Sequence, residues 1–372
     1  MLPLARAMRD AAHEVAFLSG PEIEDAVGRE GFELHAAGPE FSAFVTEALT
    51  RYPDTSFATP DDQQRFGFER LFSEVRVDMA GPDAFARAGA FAPDLVDNEV
   101  ADFVGPLVAA RIGVPNATVG VGLVLRDDWL QLAAAGVASA WAGAGLDAPS
   151  DAGVYRSLYL NQFPRSLQRP LPGAAPNVSD LRPVVFGADA TLPAELDHLG
   201  RDRPLVYVTF GTMFGDLAAL RTVVDGLAPL DADVLVTVGY GIDPPALDIR
   251  HGNVAVRQFV PQGALLSRCR LVVTHGGAGS VLGPLAFGVP LVVIPMGADQ
   301  QENAEQVAAV GAGRGIDPAQ VHPDVVGQVA RAVFGDEEIA RRARALSTEI
   351  AAMPAPADVV PLLEEVAAGT AR

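Results

Sequence analysis

The sequence predicts an α/β protein made of two doubly wound, parallel-sheet halves, and three observations carry that expectation. Short Val-rich runs recur along the chain. Most are separated by stretches of helical length and period, and several run directly into Gly-rich or polar loops. The second half is the clearer one, with LVYVTF (205–210), VLVTVG (234–239), VAVRQF (254–259), LVVT (271–274) and LVVI (291–294) as buried strands. After Asp299, the positions Ala304, Val307 and Ala308 fall at i, i+3 and i+4, which is one face of a helix.

In the first half, residues 2–9 carry apolar positions at helical spacing, and EVAFL (14–18) and PDLVD (93–97) read as strands. A helix near 101–111 and a strand near 114–120 follow. Residues 164–204 are rich in Pro, Gly and Asp with no strong period, so the boundary between halves falls there. The division is 1–180, 181–355 and a C-terminal amphipathic helix within 356–372, marked by Val359, Leu362, Leu363 and Val366.

Length and composition bound the function. The 372 residues are 49% apolar, ample for two separate cores. All 27 basic residues are arginine, a mark of coding bias rather than of chemistry, and the formal net charge is -20. That charge argues against a nucleic-acid partner, and it means a diphosphate ligand has to be held by local backbone donors and dipoles. The single cysteine, Cys269, excludes an intramolecular disulfide and fits a reducing, cytoplasmic compartment. Arg6, Arg9 and Asp10 interrupt the first apolar residues too early for a secretory signal. Residues 271–298 hold no Asp, Glu, Arg or Lys, but their clustered glycines and internal prolines read as strand, turn, helix and strand rather than as a membrane span.

Doubly wound sheets bind ligands at the carboxyl ends of their strands. Four such ends stand out. Gly211-Thr212 follows the first strand of the second half and offers a close turn and a hydroxyl, although such a turn is common by itself. His275-Gly276-Gly277-Ala278-Gly279-Ser280 lies between strand and helix. Its glycines let the main chain approach a ligand, and the helix start, with about half a unit of positive charge, favours an anion. A packing turn with a satisfied histidine is the bland alternative. Asp299-Gln300 can hydrogen-bond sugar hydroxyls, or Asp299 can simply cap a helix. Phe259-Val260-Pro261-Gln262 offers backbone and amide groups to a base or ribose.

The order FVPQ, HGGAGS, GVPLVVIP and DQQENA resembles the donor-binding signature of family 1 glycosyltransferases of the GT-B fold. It is most similar to the bacterial enzymes that glycosylate antibiotics and related secondary metabolites. The resemblance covers nearly the whole chain, since LPLARAM, HEV, PDLV and GVP in the first half also match. It implies two Rossmann-like domains facing a cleft, with the last helix crossing back to the first domain. Gln262 and the backbone of Val260 would meet the base. Gly211, Thr212, His275, Gly276, Gly277, Gly279 and Ser280 would form the diphosphate site, and Asp299 and Gln300 would meet the transferred sugar. Where family members often carry a ribose-binding glutamate, this chain has Gly283.

The implied reaction is inverting transfer of a hexosyl group from a UDP- or TDP-linked sugar to a hydroxyl of a small hydrophobic acceptor. No metal and no other cofactor is expected. The one D-x-D triplet, Asp231-Ala232-Asp233, falls between a helix and a strand, away from the strand ends. The expectation leaves room for a homodimer. Family members begin with a strand and a Gly-His loop whose histidine is the base. This chain enters the pattern inside the next helix, at Met1-Leu2-Pro3, so the resemblance implies that first strand and base are absent. His13 matches the position before the second strand, and the acid that orients the base falls at Glu99, with Asp97 near. A start codon assigned too late, a truncated remnant, and a non-catalytic nucleotide-sugar binder are the competing explanations. A non-hydrolysing nucleotide-sugar epimerase is the alternative enzyme, but no set of cleft carboxylates marks it. Trp129 and Trp141, in the variable-looking stretch 121–163, either line the acceptor pocket or pack a helix, and Asn177-Val178-Ser179 is a sequon without consequence in the cytoplasm.

Overall fold

The computed structural model describes residues 1–171, 177–187, 190–211 and 216–369, so Thr212 lies outside the described residues. The chain forms two compact units. Unit 1 takes Met1–Gln162, Pro170–Leu181 and the segment from Pro354 onward, and unit 2 takes Phe163–Arg169 and Arg182–Met353.

Unit 1 opens with α1 (Leu2–Asp10), β1 (Ala16–Ser19), α2 (Glu24–Arg29), β2 (Glu33–Ala36) and α3 (Phe41–Arg51). Next come α4 (Pro60–Phe66), a π-helical stretch (Gly67–Val75) and α5 (Arg76–Phe91). Then β3 (Val96–Glu99), α6 (Val104–Ile112), β4 (Asn116–Gly120), α7 (Asp127–Gly143), β5 (Leu158–Asn161) and β6 (Val178–Asp180) complete its middle. Pro3 sits in the first turn of α1, where a missing N–H costs nothing, and Leu4 is its buried anchor. Thr59 and Asp62 form a reciprocal capping box that starts α4. The strand expected over 93–97 begins only at Val96. Ala92 ends α5 with φ at 53°, and Pro93 has no N–H to give a ladder, so the pairing starts further on.

All five residues of β4 are buried, which forces its polar side chains to satisfy one another. Asn98 Nδ2 donates to Thr118 Oγ1 at 3.1 Å, and Asn116 Nδ2 donates to Asn98 Oδ1 at 3.3 Å. On the other face, Ala117 and Val119 pack with Leu4, Leu158 and Leu160. Trp129 and Trp141, both on α7, are buried in the second core of this unit among Phe68, Phe103 and Val137, so packing is their role. The strands make two parallel sheets, β1-β2 and β3-β4-β5-β6. β1 and β3 both line a cavity of about 860 Å³, into which Asp97 and Glu99 also face.

Unit 2 contains β7 (Leu205–Thr209), α8 (Leu217–Leu227), β8 (Asp233–Thr237), β9 (Val254–Arg257), α9 (Gln262–Leu266) and β10 (Cys269–Thr274). It continues with α10 (Ala278–Ala286), β11 (Leu291–Val293), α11 (Gln300–Ala309), β12 (Gly313–Gly315), α12 (Pro323–Phe334) and α13 (Glu337–Ala352). The six strands pair in parallel in the order β12-β11-β10-β7-β8-β9. Helices cover both faces, so the strands are apolar throughout: Val206 and Val208 join one core with Val234, Val236 and Val273, while Leu205 and Tyr207 are buried as well. The uncharged stretch 271–298 is β10, α10 and β11, and no helix among the described residues is long and apolar enough to cross a membrane. Asp231 and Asp233 stand at the entry to β8 beside Arg203, at 3.1 and 4.0 Å, so the D-x-D triplet is at the opposite strand ends from the glycine loops.

The last helix, α14 (Pro356–Ala367), belongs to unit 1. Val359, Leu363 and Val366 pack with Leu4 of α1 and with β4 and β5, and His13 Nε2 meets Glu364 Oε1 at 2.9 Å.

Candidate functional site

In the order β12-β11-β10-β7-β8-β9, the chain builds outward in one direction from β7 and then in the other from β10. The switch between β7 and β10 is where a doubly wound sheet leaves a crevice at its carboxyl edge. Three of the candidate loops converge there.

Gly211 ends β7 with φ at 74°, and Gly276 follows β10 with φ at 94°, both in the left-handed region open to glycine. The two turns clasp the His275 ring. A β-carbon on Gly211 would stand 2.9 Å from its Cε1, and one on Gly277 would stand 2.7 Å from its Nε2. His275 is 7% exposed. Burial drives its pKa down to about 4, against the opposing pull of the Thr209 backbone carbonyl, which accepts a hydrogen bond from the ring. The imidazole is therefore neutral at pH 7 and braces the two strand ends; it adds no positive charge to the loop.

The loop is wired from within. Gly276 N–H donates to Thr274 Oγ1 at 3.3 Å, Thr274 Oγ1 donates to Ser280 Oγ at 2.8 Å, and Ser280 Oγ donates to the Gly277 carbonyl at 2.8 Å. His275 Nδ1 lies 3.3 and 3.5 Å from the two hydroxyls. This relay fixes where α10 begins. The first-turn amides of a helix have no helical acceptor, and here they follow two glycines, with Gly279 exposed. What the loop can do chemically is bind an anion through backbone N–H groups and the dipole of α10.

At the neighbouring end of β11, Asp299 is half-buried at the start of α11. Burial raises its carboxyl above the ordinary value, and the bond from Asn303 pulls the other way. Asn303 Nδ2 reaches both Asp299 Oδ2, at 2.9 Å, and the Gly276 carbonyl, at 2.8 Å. Gln300 is 1% exposed. Its Oε1 accepts from the N–H groups of Met296 and Gly297, at 2.7 and 3.1 Å, and so shapes the turn between β11 and α11. Arg169 pairs with Glu302 of α11 at 3.0 Å.

The remaining strand end lies beyond β9. Val260 is 1% exposed, and Gln262 is half-buried at the first position of α9. A β-carbon on Gly283 would come within 3.2 Å of Gln262 Oε1, so the amide fills the room beside that glycine. Phe259 is 39% exposed and stacks on Tyr240, with centroids 5.5 Å apart and an interplanar angle of 16°.

Known proteins are similar to this chain in sequence and fold. The family described as erythromycin biosynthesis protein CIII-like, C-terminal domain, matches residues 221–366. Tylactone mycaminosyltransferase of Streptomyces fradiae is 29% identical, over 99% of this chain and 89% of that protein. The crystal structure of the glycosyltransferase SnogD from Streptomyces nogalater superposes with a TM-score of 0.78 at 26% identity, covering 98% of this chain and 95% of the other. That of VinC in complex with DTDP gives 0.79 at 25% identity, covering 99% and 96%. The chain has the GT-B fold of these structures, and its likeness to them supports a family 1 glycosyltransferase.

In this glycosyltransferase, Gly211, His275, Gly276, Gly277, Gly279 and Ser280 come together at one crevice, and Asp299 joins them through Asn303. Val260 and Gln262 follow β9, another strand of the same sheet. Glu99 belongs to unit 1, at the end of β3, where burial lifts its carboxyl to about 7 against the bond it accepts from the Ala101 N–H. Sequence reasoning did not single out Thr274, Asn303 or Tyr240. Asn303 lies inside DQQENA at i+4 from Asp299, the spacing that puts two helix side chains side by side, and that spacing was the available signal.

Proposed function

We propose that this chain is an inverting glycosyltransferase that moves a hexosyl group from a UDP- or TDP-linked sugar to a hydroxyl of a small, lipophilic secondary metabolite. The observation that carries the reading is the relay-fixed start of α10 at the switch point, a built anion site next to a carboxylate that suits sugar hydroxyls. The relatives are named for mycaminosyl and similar transfers to antibiotic scaffolds, and one neighbour holds a thymidine diphosphate, which supports this donor and acceptor class.

In the proposed reaction the acceptor oxygen attacks the anomeric carbon and gives up its proton to a base. The bond from that carbon to the diphosphate oxygen breaks on the opposite face, and the nucleoside diphosphate leaves. Backbone amides at Gly277, Ala278 and Gly279 are proposed to hold the departing charge, where fixed dipoles act most strongly. His275 would contribute as a neutral brace. Asp299 is proposed to accept hydrogen bonds from the sugar, while Gln300 would hold the turn that presents it. Glu99 is proposed as the catalytic carboxyl of unit 1, and no metal takes part. We place the protein in the cytoplasm, in keeping with its single cysteine, and sedimentation would test a homodimer.

Calorimetric titration with UDP and TDP is the deciding experiment, run beside Ser280→Ala and His275→Ala. Micromolar binding that both substitutions weaken supports the donor site. A folded protein that binds neither nucleotide would remove the basis for the enzymatic reading.

A further inference from the structure

Asp299 and the glycine loop are the ends of two different strands, yet one side chain holds both. Asn303 is 1% exposed and sits one turn into α11. Its two amide hydrogens reach acceptors on separate elements: the Gly276 carbonyl after β10 at 2.8 Å and Asp299 Oδ2 at 2.9 Å. Both targets are acceptors only, so the amide can face them in one orientation alone. Its own Oδ1 is buried without a hydrogen-bond partner. Leaving such an oxygen unpaired is unfavourable, so the position is not explained by satisfying the asparagine itself. What the geometry satisfies is the carboxylate and the loop.

We propose that Asn303 is a positioning residue that locks the sugar-facing carboxylate of Asp299 to the diphosphate-facing glycine loop, so that the two halves of the donor are gripped as one rigid unit. The inference rests on the donor-site reading given above. Asn303 touches no reacting atom. It acts by fixing the carboxylate oxygen that faces it, which leaves the other oxygen of Asp299 as the one presented outward, and by tying the Gly276 peptide whose far side begins the anion-binding turn. The bond to an ionised acceptor is the stronger of the two kinds.

The linkage makes a specific demand on affinities. A nucleoside diphosphate uses the loop and the chain after β9 but not the carboxylate, whereas a nucleotide sugar uses the carboxylate as well. The ratio of their dissociation constants therefore measures how well Asp299 is held in register. Calorimetry with TDP, TDP-glucose, UDP and UDP-glucose reads that ratio in the full chain, for the unmodified protein and for Asn303→Ala, Asn303→Ser and the isosteric Asn303→Asp. Asn303→Asp keeps the shape and removes both donors. The gain in affinity that the sugar supplies should shrink about tenfold in Asn303→Ala and Asn303→Asp, and less in Asn303→Ser, which keeps one donor. Asp299→Asn combined with Asn303→Ala should be no worse for the sugar-dependent part than the poorer single variant, because both remove one linked contact.

Additive losses in that pair, or an unchanged ratio in both Asn303→Asp and Asn303→Ala, would overturn the proposal. Thermal melts run alongside show whether each variant is folded, and Asn303→Asp carries the test if the alanine variant is not. Failure of the unmodified protein to bind either diphosphate would instead strike the donor-site reading, so the two failures are told apart.

Discussion

The backbone of Gly211 lies against the imidazole of His275 so closely that a β-carbon would stand 2.9 Å from Cε1. The contact joins the ends of β7 and β10 across the switch point of the sheet. Gly211→Ala has to push that ring and also hold alanine at φ 74°, a left-handed conformation that costs about 1 kcal/mol or more for an L-residue. The expected outcome is a loss of about 1–3 kcal/mol in urea unfolding and weaker nucleotide binding in calorimetry. An alanine variant as stable and as tight as the parent would show that the ring is free to move.

His275 also gives unit 2 a pH response. Its folded pKa of about 4 lies below its ordinary value of 6.5, so between these limits the unfolded chain binds more protons than the folded one. Stability contributed by the neutral ring is full above pH 6.5 and falls as the pH drops toward 4. His275→Gln should flatten this slope in urea midpoints measured from pH 4.5 to 7, and an unchanged slope would assign the acid sensitivity elsewhere.

Glu99 has the opposite sign. Burial raises its carboxyl from 4.5 to about 7, so its contribution is fully present below pH 4.5 and is lost as the pH rises through 7. Glu99→Gln should make the protein more stable than the parent at pH 8, by about 1 kcal/mol after allowing for its partial exposure, while the two converge at pH 5. The same variant should slow sugar transfer; if transfer is unaffected, Glu99 has no place in the reaction.

Thr274 is wholly buried and passes hydrogen bonding from the Gly276 N–H to Ser280. Thr274→Val keeps the shape and leaves the Gly276 N–H without its side-chain acceptor, an expected cost of about 1–3 kcal/mol. Ser280→Ala breaks the same relay one step later. Their effects on nucleotide affinity should therefore be strongly non-additive in a double-mutant cycle.

The strands of unit 2 were legible because a parallel strand covered on both faces has to be apolar at nearly every position, and runs such as LVYVT and CRLVVT have few other uses. The loops after them were legible through glycine, which marks the left-handed turns at Gly211 and Gly276. Side-chain roles were less so. Gln300 reads as a hydrogen-bonding partner of a sugar; its Oε1 also accepts from two backbone N–H groups, and nothing in its neighbours' identities signals that turn. Likewise Ser280 reads as a phosphate contact, while its hydroxyl closes a loop onto Gly277. The π-helical stretch Gly67–Val75 left no trace in the sequence, because a shift of hydrogen-bond register has no residue type of its own. β6 is a three-residue strand inside a Pro- and Gly-rich region, too short to show a period.

The pairing of α14 with α1 places the last helix in the core of the unit that the first helix begins. During synthesis, therefore, unit 2 has nearly all its residues available while unit 1 still lacks Val359, Leu363 and Val366. Leu4, Ala117 and Leu160 are thus made long before the residues that cover them, and their shared core closes only once α14 has followed unit 2.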